Sequence, residues 1–311
     1  MQKIAAALCL SVGLGFASAA CAQAPQPDIV QWQGKRALAD IVRQVGFGVR
    51  AMDTPGHRKT IDMIEAELRA LGLSPREQSW HSTVAGQNHA MTNIIAPMYP
   101  GATPRMILGT HYDSIVRAYR DPDHPDAPMP GANNSASGVA LLLETARALR
   151  AQKIPPGIGV DFVFFDGEEG PISLGAGDAH WQPLGSPYFT EHLAETYPAA
   201  KPQQAMIFDM VCWREEKLHP EQASLLYAAD QIDKFWNIGR TFAPAFFNAT
   251  PTPVPIFDDQ IALDDASIPA FLVIGFEYEP WFNTTGDTPD KCSEAALDGV
   301  GRSVLRYIYA H

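Results

Sequence analysis

The sequence is poor in positive charge for its size. Its 311 residues include 23 lysines and arginines against 35 aspartates and glutamates, which gives a formal net charge of -12 at pH 7. Binding to nucleic acid requires a basic face that neutralises phosphates, so we do not expect nucleic acid as a partner. An acidic surface is compatible with cationic ligands, such as peptides with a free amino terminus.

Long hydrophobic runs are also missing. The apolar stretch from Ile4 to Phe16 is too short for a permanent transmembrane helix. It follows a lysine and precedes the small residues A-S-A-A-C-A-Q-A, a pattern typical of a Sec-type signal peptide over residues 1–22. Cleavage after Ala19 or Ala22 is expected. The alternative is a lipoprotein acylated at Cys21, although Ser18 stands where a larger aliphatic residue is usual. Both readings predict an exported protein, periplasmic or secreted.

Cysteine is scarce, with four residues in the whole chain. Cys9 leaves with the predicted leader and Cys21 is close to its cleavage site. Cys212 and Cys292 remain, and an oxidising compartment would allow them to pair. Two separate buried thiols are the alternative, because a free cysteine packs as a small apolar residue.

The remaining composition is that of a globular protein, with 46% hydrophobic and 19% charged residues. Residues 23–311 suit a single domain. Helical and strand patterns alternate along them, which predicts an α/β fold with a mixed, mostly parallel central sheet and helices on both faces. Helices are predicted at 35–46, 57–71, 136–149, 231–243 and 293–310, and strands at 75–82, 91–96, 105–110, 158–165, 205–211 and 270–275. Long loops are expected at 114–130, 170–187 and 251–260.

Polar side chains follow two of the buried strands. The segment R-M-I-L-G-T-H-Y-D-S ends on His111 and Asp113, and the strand at 158–165 ends in D-G-E-E, which contains Glu168 and Glu169. Adjacent carboxylates at the end of a buried strand are costly unless a cation or a shared proton offsets them. A solvated acidic turn is the alternative, but the nearby T-H-Y-D-S segment favours a functional site at the sheet edge.

Three motifs, T-H-Y-D-S, P-G-A-N-N-S-A-S-G-V-A and F-F-D-G-E-E, occur in this order. With them the chain resembles the zinc-dependent aminopeptidase and glutaminyl cyclase family. The segments P-G-H-R-K-T-I, M-T-N-I-I-A, I-F-D-M-V and T-T-G-D-T-P-D-K-C-S resemble the bacterial glutaminyl cyclase-like branch. The resemblance runs from about Phe47 onward. It implies a zinc exopeptidase fold, a bound zinc and activity on the amino termini of peptides or proteins.

The resemblance also implies roles for individual residues. Glu169 matches a zinc ligand, and Glu168 matches the general base and acid. Two further positions match catalytic aspartates, Asp209 in I-F-D-M and Asp259 in F-D-D-Q. The early histidine and its partner, which serve a metal in related aminopeptidases, correspond to His111 and Asp113. The aromatic residues that help enclose the substrate correspond to Trp281 and Phe282, for which ordinary packing is the alternative.

Three positions depart from the family pattern. Asn134 replaces an expected aspartate ligand, Asn283 replaces an expected histidine ligand, and Gln260 replaces the histidine of a D-D-H motif. A carboxamide is a weak zinc donor beside carboxylate or imidazole. Two of three expected ligands are therefore substituted, and we expect a degraded zinc site. The alternatives are a metal shifted toward His111 and Asp209, a peptide-binding pseudoenzyme, and a zinc aminopeptidase.

Overall fold

The computed structural model describes residues 31–84, 86–152, 155–170 and 182–311. The predicted signal peptide lies outside the described residues, as do His180 and Trp181 of the 170–187 loop. The helices are α1 (Gly34–Val45), α2 (Pro55–Ala70), α3 (Ala136–Ala151), α4 (Gly185–Glu191), α5 (Leu193–Thr196), α6 (Ala229–Phe242), α7 (Gln260–Asp265) and α8 (Glu294–Tyr309). The strands are β1 (Arg76–Val84), β2 (Gln87–Met98), β3 (Arg105–His111), β4 (Gly159–Phe165), β5 (Gln204–Asp209) and β6 (Ala270–Ile274).

The six strands form one sheet in the order β1-β2-β4-β3-β5-β6. The pairs β4–β3, β3–β5 and β5–β6 are parallel, while β1–β2 and β2–β4 are antiparallel. The predicted mixed, mostly parallel sheet is therefore confirmed. Its parallel half carries every strand that ends in a predicted site residue.

Alternate residues of the sheet belong to two different cores. Along β3, Met106 and Leu108 pack in the larger core with α1, α2, α3, α6 and α8, whereas Ile107 packs in a second core with α4, α5 and α7. This alternation follows from the two-residue period of a strand. It confirms that helices cover both faces, and it explains why the buried strands read as continuous apolar runs.

Helix α3 lies very close to the sheet where it crosses β3 and β5. A Cβ atom placed on Gly138 would come within 2.0 Å of Thr110 Oγ1 and 2.9 Å of the carbonyl oxygen of Phe208. Only glycine fits at this crossing. The close packing brings the first turn of α3, which follows Asn134 and Ser135, to the carboxyl ends of the strands.

Three short helices were not predicted. Helix α4 begins at Gly185, inside the region predicted as the 170–187 loop, and α7 begins at Gln260, where the predicted loop 251–260 ends. Helix α5 covers Leu193–Thr196, where no element was predicted. The three helices contain seven, four and six residues, about two turns at most, which is too short for an apolar stripe to show a helical period. The other predicted elements agree with the structure apart from their terminal residues.

Cys212 and Cys292 form a disulfide in the described chain, which decides between the two alternatives for these cysteines. The bond links the segment after β5 to the segment before α8. Around it, Ser293 N donates to the carbonyl of Cys212 at 2.9 Å and Arg214 N donates to Lys291 O at 2.9 Å. None of the helices in the described residues is both long and apolar enough to cross a membrane.

Candidate active site

Three neighbouring parallel strands deliver polar side chains to one edge of the sheet. His111 is the last residue of β3, Asp209 is the last residue of β5, and Glu168 and Glu169 follow β4. His111 Nε2 lies 3.1 Å from Asp209 Oδ1, and His111 Nδ1 lies 3.8 Å from Glu168 Oε2. The structure therefore brings together the residues that the sequence placed at these strand ends.

The turn that carries Glu168 and Glu169 is held by Asp113. Its two carboxylate oxygens accept hydrogen bonds from Glu168 N at 3.1 Å and from Glu169 N at 3.0 Å. Asp113 is fully buried, and His111 Nδ1 is 3.4 Å away. These contacts make Asp113 a positioning residue for the paired glutamates.

A second buried network holds the start of the same turn. Asp166 accepts from Thr92 N at 2.7 Å, and its other oxygen lies 2.8 Å from His57 Nε2. Tyr112 completes the network, because its hydroxyl donates to Thr92 O at 2.7 Å and lies 3.2 Å from His57 Nε2. Sequence reasoning missed this role of His57, although the residue lies in the P-G-H-R-K-T-I motif.

The carboxyl groups of the site form a buried acidic cluster that consists of Glu168, Glu169, Asp209, Asp258 and Asp259. Burial raises the pKa of Glu168 and of Asp258 well above the ordinary values. Repulsion by Asp258 adds to the effect at Glu168, and repulsion by Asp209 and Asp259 adds to it at Asp258. Burial also raises the pKa of Glu169 and of Asp259 to about 7. Burial alone would lower the pKa of His111, but the surrounding carboxylates, with Glu168 foremost, raise it well above 6.5. The site favours a cation or shared protons.

Asp258 lies in this cluster together with the predicted Asp259. Both residues are buried, and Asp258 repels Glu168 more strongly than Asp259 does. Asp259 instead accepts a hydrogen bond of 2.5 Å from the Ser186 hydroxyl. The F-D-D-Q motif contains both aspartates, and sequence reasoning gave the catalytic role to Asp259 alone. No pattern in the sequence indicates Ser186, because it lies in the first turn of the unpredicted helix α4.

The positions at which the resemblance predicts zinc ligands are joined by hydrogen bonds. Asn134 Nδ2 donates to Glu169 Oε1 and lies 3.4 Å from Asn283 Oδ1. Asn283 Nδ2 in turn lies 3.4 Å from the hydroxyl of Tyr119, a residue of the 114–130 loop that sequence analysis did not single out. Asp287 holds the backbone of Asn134 in place, because its carboxylate accepts a hydrogen bond from Asn134 N at 3.1 Å. The predicted positions Glu169, Asn134 and Asn283 therefore do lie together.

This donor set does not fit zinc. Asn134 presents an N–H group to Glu169 where a metal ligand would present a lone pair, and two of the three side chains are neutral carboxamides. Within residues 31–84, 86–152, 155–170 and 182–311, no group of three or more His, Cys, Asp or Glu side chains is arranged to hold a metal ion. We therefore assign no chemical step to a metal.

The remaining predicted residues are sequence neighbours of the site residues Asp259 and Asn283. Gln260 is fully buried at the start of α7, where its Nε2 donates to Ile256 O at 2.8 Å. Trp281 and Phe282 are half-buried and pack against the second core. The guanidinium of Arg120 lies 5.2 Å from the Phe282 ring centroid, and Lys291 Nζ lies 4.4 Å from that of Trp281. Enclosure of a substrate by these two aromatic residues stays a prediction.

The sequence profile described as peptidase family M28 matches residues 93–308, from β2 into α8. The match includes every predicted site residue. The chain belongs to peptidase family M28.

Curated relatives of this M28 protein include glutaminyl-peptide cyclotransferases and an aminopeptidase. The glutaminyl-peptide cyclotransferase-like protein of Bos taurus is 31% identical over 160 residues, which cover 47% of this chain and 37% of the bovine protein. Aminopeptidase YwaD of Bacillus subtilis is 28% identical over 249 residues, or 76% of this chain and 48% of that protein. The chain spans less than half the length of each of these two relatives.

Solved structures show the same division. Glutaminyl cyclase from Tannerella forsythia superposes with a TM-score of 0.82 at 29% identity, covering 90% of this chain and 99% of that one. A leucine aminopeptidase precursor from Bacteroides thetaiotaomicron gives a TM-score of 0.83 at 26% identity, covering 92% and 99%. The M28 protein has the fold that both groups share.

Proposed function

We propose that this chain is an exported protein that receives the amino terminus of peptides, and that it resembles a glutaminyl-peptide cyclotransferase whose zinc site has been lost. The observation that carries the proposal is the carboxamide of Asn134, whose N–H group is hydrogen-bonded to Glu169 at the family's metal position. Beside it, Glu168, Asp209 and Asp258 remain as buried carboxyl groups that suit an amine ligand.

The reaction to be tested is cyclisation of an amino-terminal glutamine. The α-amine attacks the side-chain carboxamide carbon, a new C–N bond forms, and the old C–N bond breaks to release ammonia. One proton must leave the attacking amine and reach the departing nitrogen. Glu168 is the proposed carrier, because it lies at the centre of the acidic cluster beside His111.

The expected rate is low. A pocket that holds amine and carboxamide together contributes through positioning. Without a Lewis acid the charge that develops on the carboxamide oxygen is less well stabilised, and removal of a single such interaction costs about 10²- to 10³-fold in other enzymes. We therefore expect slow turnover.

The experiment compares the wild type with Glu168→Gln on a glutaminyl peptide, with ammonia release as the readout. We expect slow cyclisation by the wild type and none by the variant. Glu195→Gln removes an exposed carboxylate outside the pocket and serves as the control, with unchanged turnover expected. Equal turnover in Glu168→Gln and the wild type would remove Glu168 from the mechanism.

The second candidate is a pseudoenzyme that binds peptide amino termini without turnover. The replacement of three family residues by Asn134, Asn283 and Gln260 favours it. Calorimetric binding of a glutaminyl peptide with no ammonia release would establish this alternative. Release of the first residue as a free amino acid would instead favour the aminopeptidase reading, which the relationship to aminopeptidase YwaD supports.

A further inference from the structure

A groove of about 530 Å³ lies between α4 and α7, and Asp258 of the acidic cluster is one of its lining residues. Phe257 and Asp258 belong to the F-D-D-Q motif, and the rest of the groove lies outside the family motifs. Its walls are mainly apolar and come from both helices and from the segment before each helix. The wall residues used here are Pro183, Pro187, Phe257, Ile261 and Ala262, together with Asp258.

Phe257 is the most unusual residue of the groove. Its side chain is 62% exposed, although large aromatic residues usually bury most of their surface. An exposed aromatic face on the wall of a groove offers a surface to a ligand. The ring attracts a cation as well as an apolar chain.

Asp258 connects the groove to the proposed site. It lines the groove, and it also belongs to the acidic cluster, where it repels the carboxylate of Glu168. Consecutive Cα atoms of a peptide are about 3.8 Å apart. Because the groove shares Asp258 with the acidic cluster, it is the candidate site for the second side chain of a peptide whose first residue lies at the cluster.

Two exposed carboxylates line the groove. Glu191 of α4 and Asp265 of α7 are exposed lining residues, and neither forms an ion pair within the described part of the chain. Lysine and arginine combine an apolar stem with a cationic head. The stem matches the Pro187 and Ile261 walls, and the head matches the two carboxylates and the Phe257 ring.

We infer that this groove binds the second residue of the peptide and selects lysine or arginine there. The inference rests on the proposed function, since it requires the amino terminus to lie in the acidic pocket. It names the substrate class: peptides with a basic residue directly after the first.

The test measures dissociation constants by calorimetry, or KM where a peptide is turned over, for three amidated peptides: Gln-Lys-Ala, Gln-norleucine-Ala and Gln-Glu-Ala. Norleucine keeps an apolar stem and lacks the charge. We expect the lysine peptide to bind about tenfold more tightly than the norleucine peptide, from one cation–π contact and two exposed ion pairs. The glutamate peptide should bind most weakly.

Two variants locate the selectivity. Glu191→Gln with Asp265→Asn keeps the shape of the groove and should reduce the preference for lysine over norleucine from about tenfold to about threefold, the part that the Phe257 ring contributes. Ala262→Trp should fill the groove and weaken both peptides. The matched control, Glu195→Gln with Asp230→Asn, removes two exposed carboxylates elsewhere and should keep the wild-type preference. The charge variants are conservative, so the conclusion does not depend on whether Ala262→Trp folds.

The outcomes separate the inference from the proposed function. If the wild type binds all three peptides equally, or if the groove charge variant keeps the full tenfold preference for lysine, the groove is not the subsite and the proposed function still stands. If the wild type binds none of the peptides, the proposed function fails and the inference fails with it. A preference for lysine that decreases only in the groove charge variant supports both.

Discussion

At the scale of single residues, the proposed loss of the zinc site rests on two positions, Asn134 and Asn283, where the family resemblance predicts an aspartate and a histidine. Asn134 Nδ2 donates where an aspartate would accept, and Glu169 becomes its acceptor. A hydrogen bond then holds together two groups that a cation would otherwise bridge. The surrounding backbone is in place, because Asp287 fixes Asn134 N.

Restoring the two ligands should therefore restore the metal. In Asn134→Asp with Asn283→His, the two new side chains and Glu169 would form a three-ligand set of the kind that binds zinc with an open position. We expect about one zinc per chain by titration calorimetry. Asn237→Asp, an exposed substitution on α6, is the control and should bind none at this position. A double variant without zinc binding would show that the site is placed wrongly.

The sequence predicted the site residues that lie at strand ends. His111, Asp209 and the Glu168–Glu169 pair follow apolar runs, and parallel strands bring such residues to one edge. Ser186 and Tyr119 could not be predicted in this way. They reach the site from a short helix and a long loop, and neither element has a periodicity that fixes where its side chains lie.

At the scale of elements, the position of α3 depends on Gly138. An alanine there would gain up to about 1 kcal/mol in helix propensity. Its methyl group would meet Thr110 Oγ1, which is itself fixed by a 2.8 Å hydrogen bond to Phe208 O. Overpacking costs about 1–3 kcal/mol and occasionally more, so we expect Gly138→Ala to lower the free energy of unfolding. Urea denaturation measures the loss.

The control for this substitution is Gly101→Ala, because a Cβ atom at Gly101 meets nothing within 4 Å. We expect its unfolding free energy to stay within about 0.5 kcal/mol of the wild type, as for surface substitutions generally. Equal stability of Gly138→Ala and Gly101→Ala would contradict the close packing of α3 on the sheet.

The segment after β5 contains a buried carboxyl group that makes stability depend on pH. Burial raises the pKa of Glu216 from 4.5 to about 8. Between these pH values the folded chain keeps the proton and the unfolded chain releases it, so stability falls as pH rises from about 4.5 to about 8. Glu216→Gln removes the titration and should stabilise the protein at pH 7 by about 3 kcal/mol.

Thermal unfolding of both proteins at pH 5 and pH 7.5 measures this effect. The difference between Glu216→Gln and the wild type should be small at pH 5 and larger at pH 7.5. Glu215→Gln, one residue earlier, is exposed and serves as the control. A difference that does not change with pH would show that Glu216 is ionised in the folded protein.

The fold could be predicted from sequence because its long elements have clear periods. The buried strands are apolar throughout, and helices such as α2 and α8 keep one apolar face. The order of the strands in the sheet could not be derived from these patterns, since β2 pairs with β4 across two intervening elements, β3 and α3. Tertiary packing determines that order.

At the scale of the whole molecule, the Cys212–Cys292 disulfide joins positions separated by 80 residues. Cross-links of this kind stabilise proteins by about 2–4 kcal/mol, mainly by restricting the unfolded chain. We expect Cys212→Ala with Cys292→Ala to lower the free energy of unfolding by that amount. Unchanged stability in the double variant, or an unchanged wild type after reduction, would contradict this role.

The account as a whole depends on one claim, that an M28 fold here has a peptide pocket without the family's zinc. The most direct test is elemental analysis of the mature wild-type protein after incubation with excess zinc and removal of the unbound metal. We predict far less than one zinc per chain, together with binding of a glutaminyl peptide. About one tightly held zinc per chain would contradict the claim and would indicate that the protein is a metal-dependent enzyme like other members of its family.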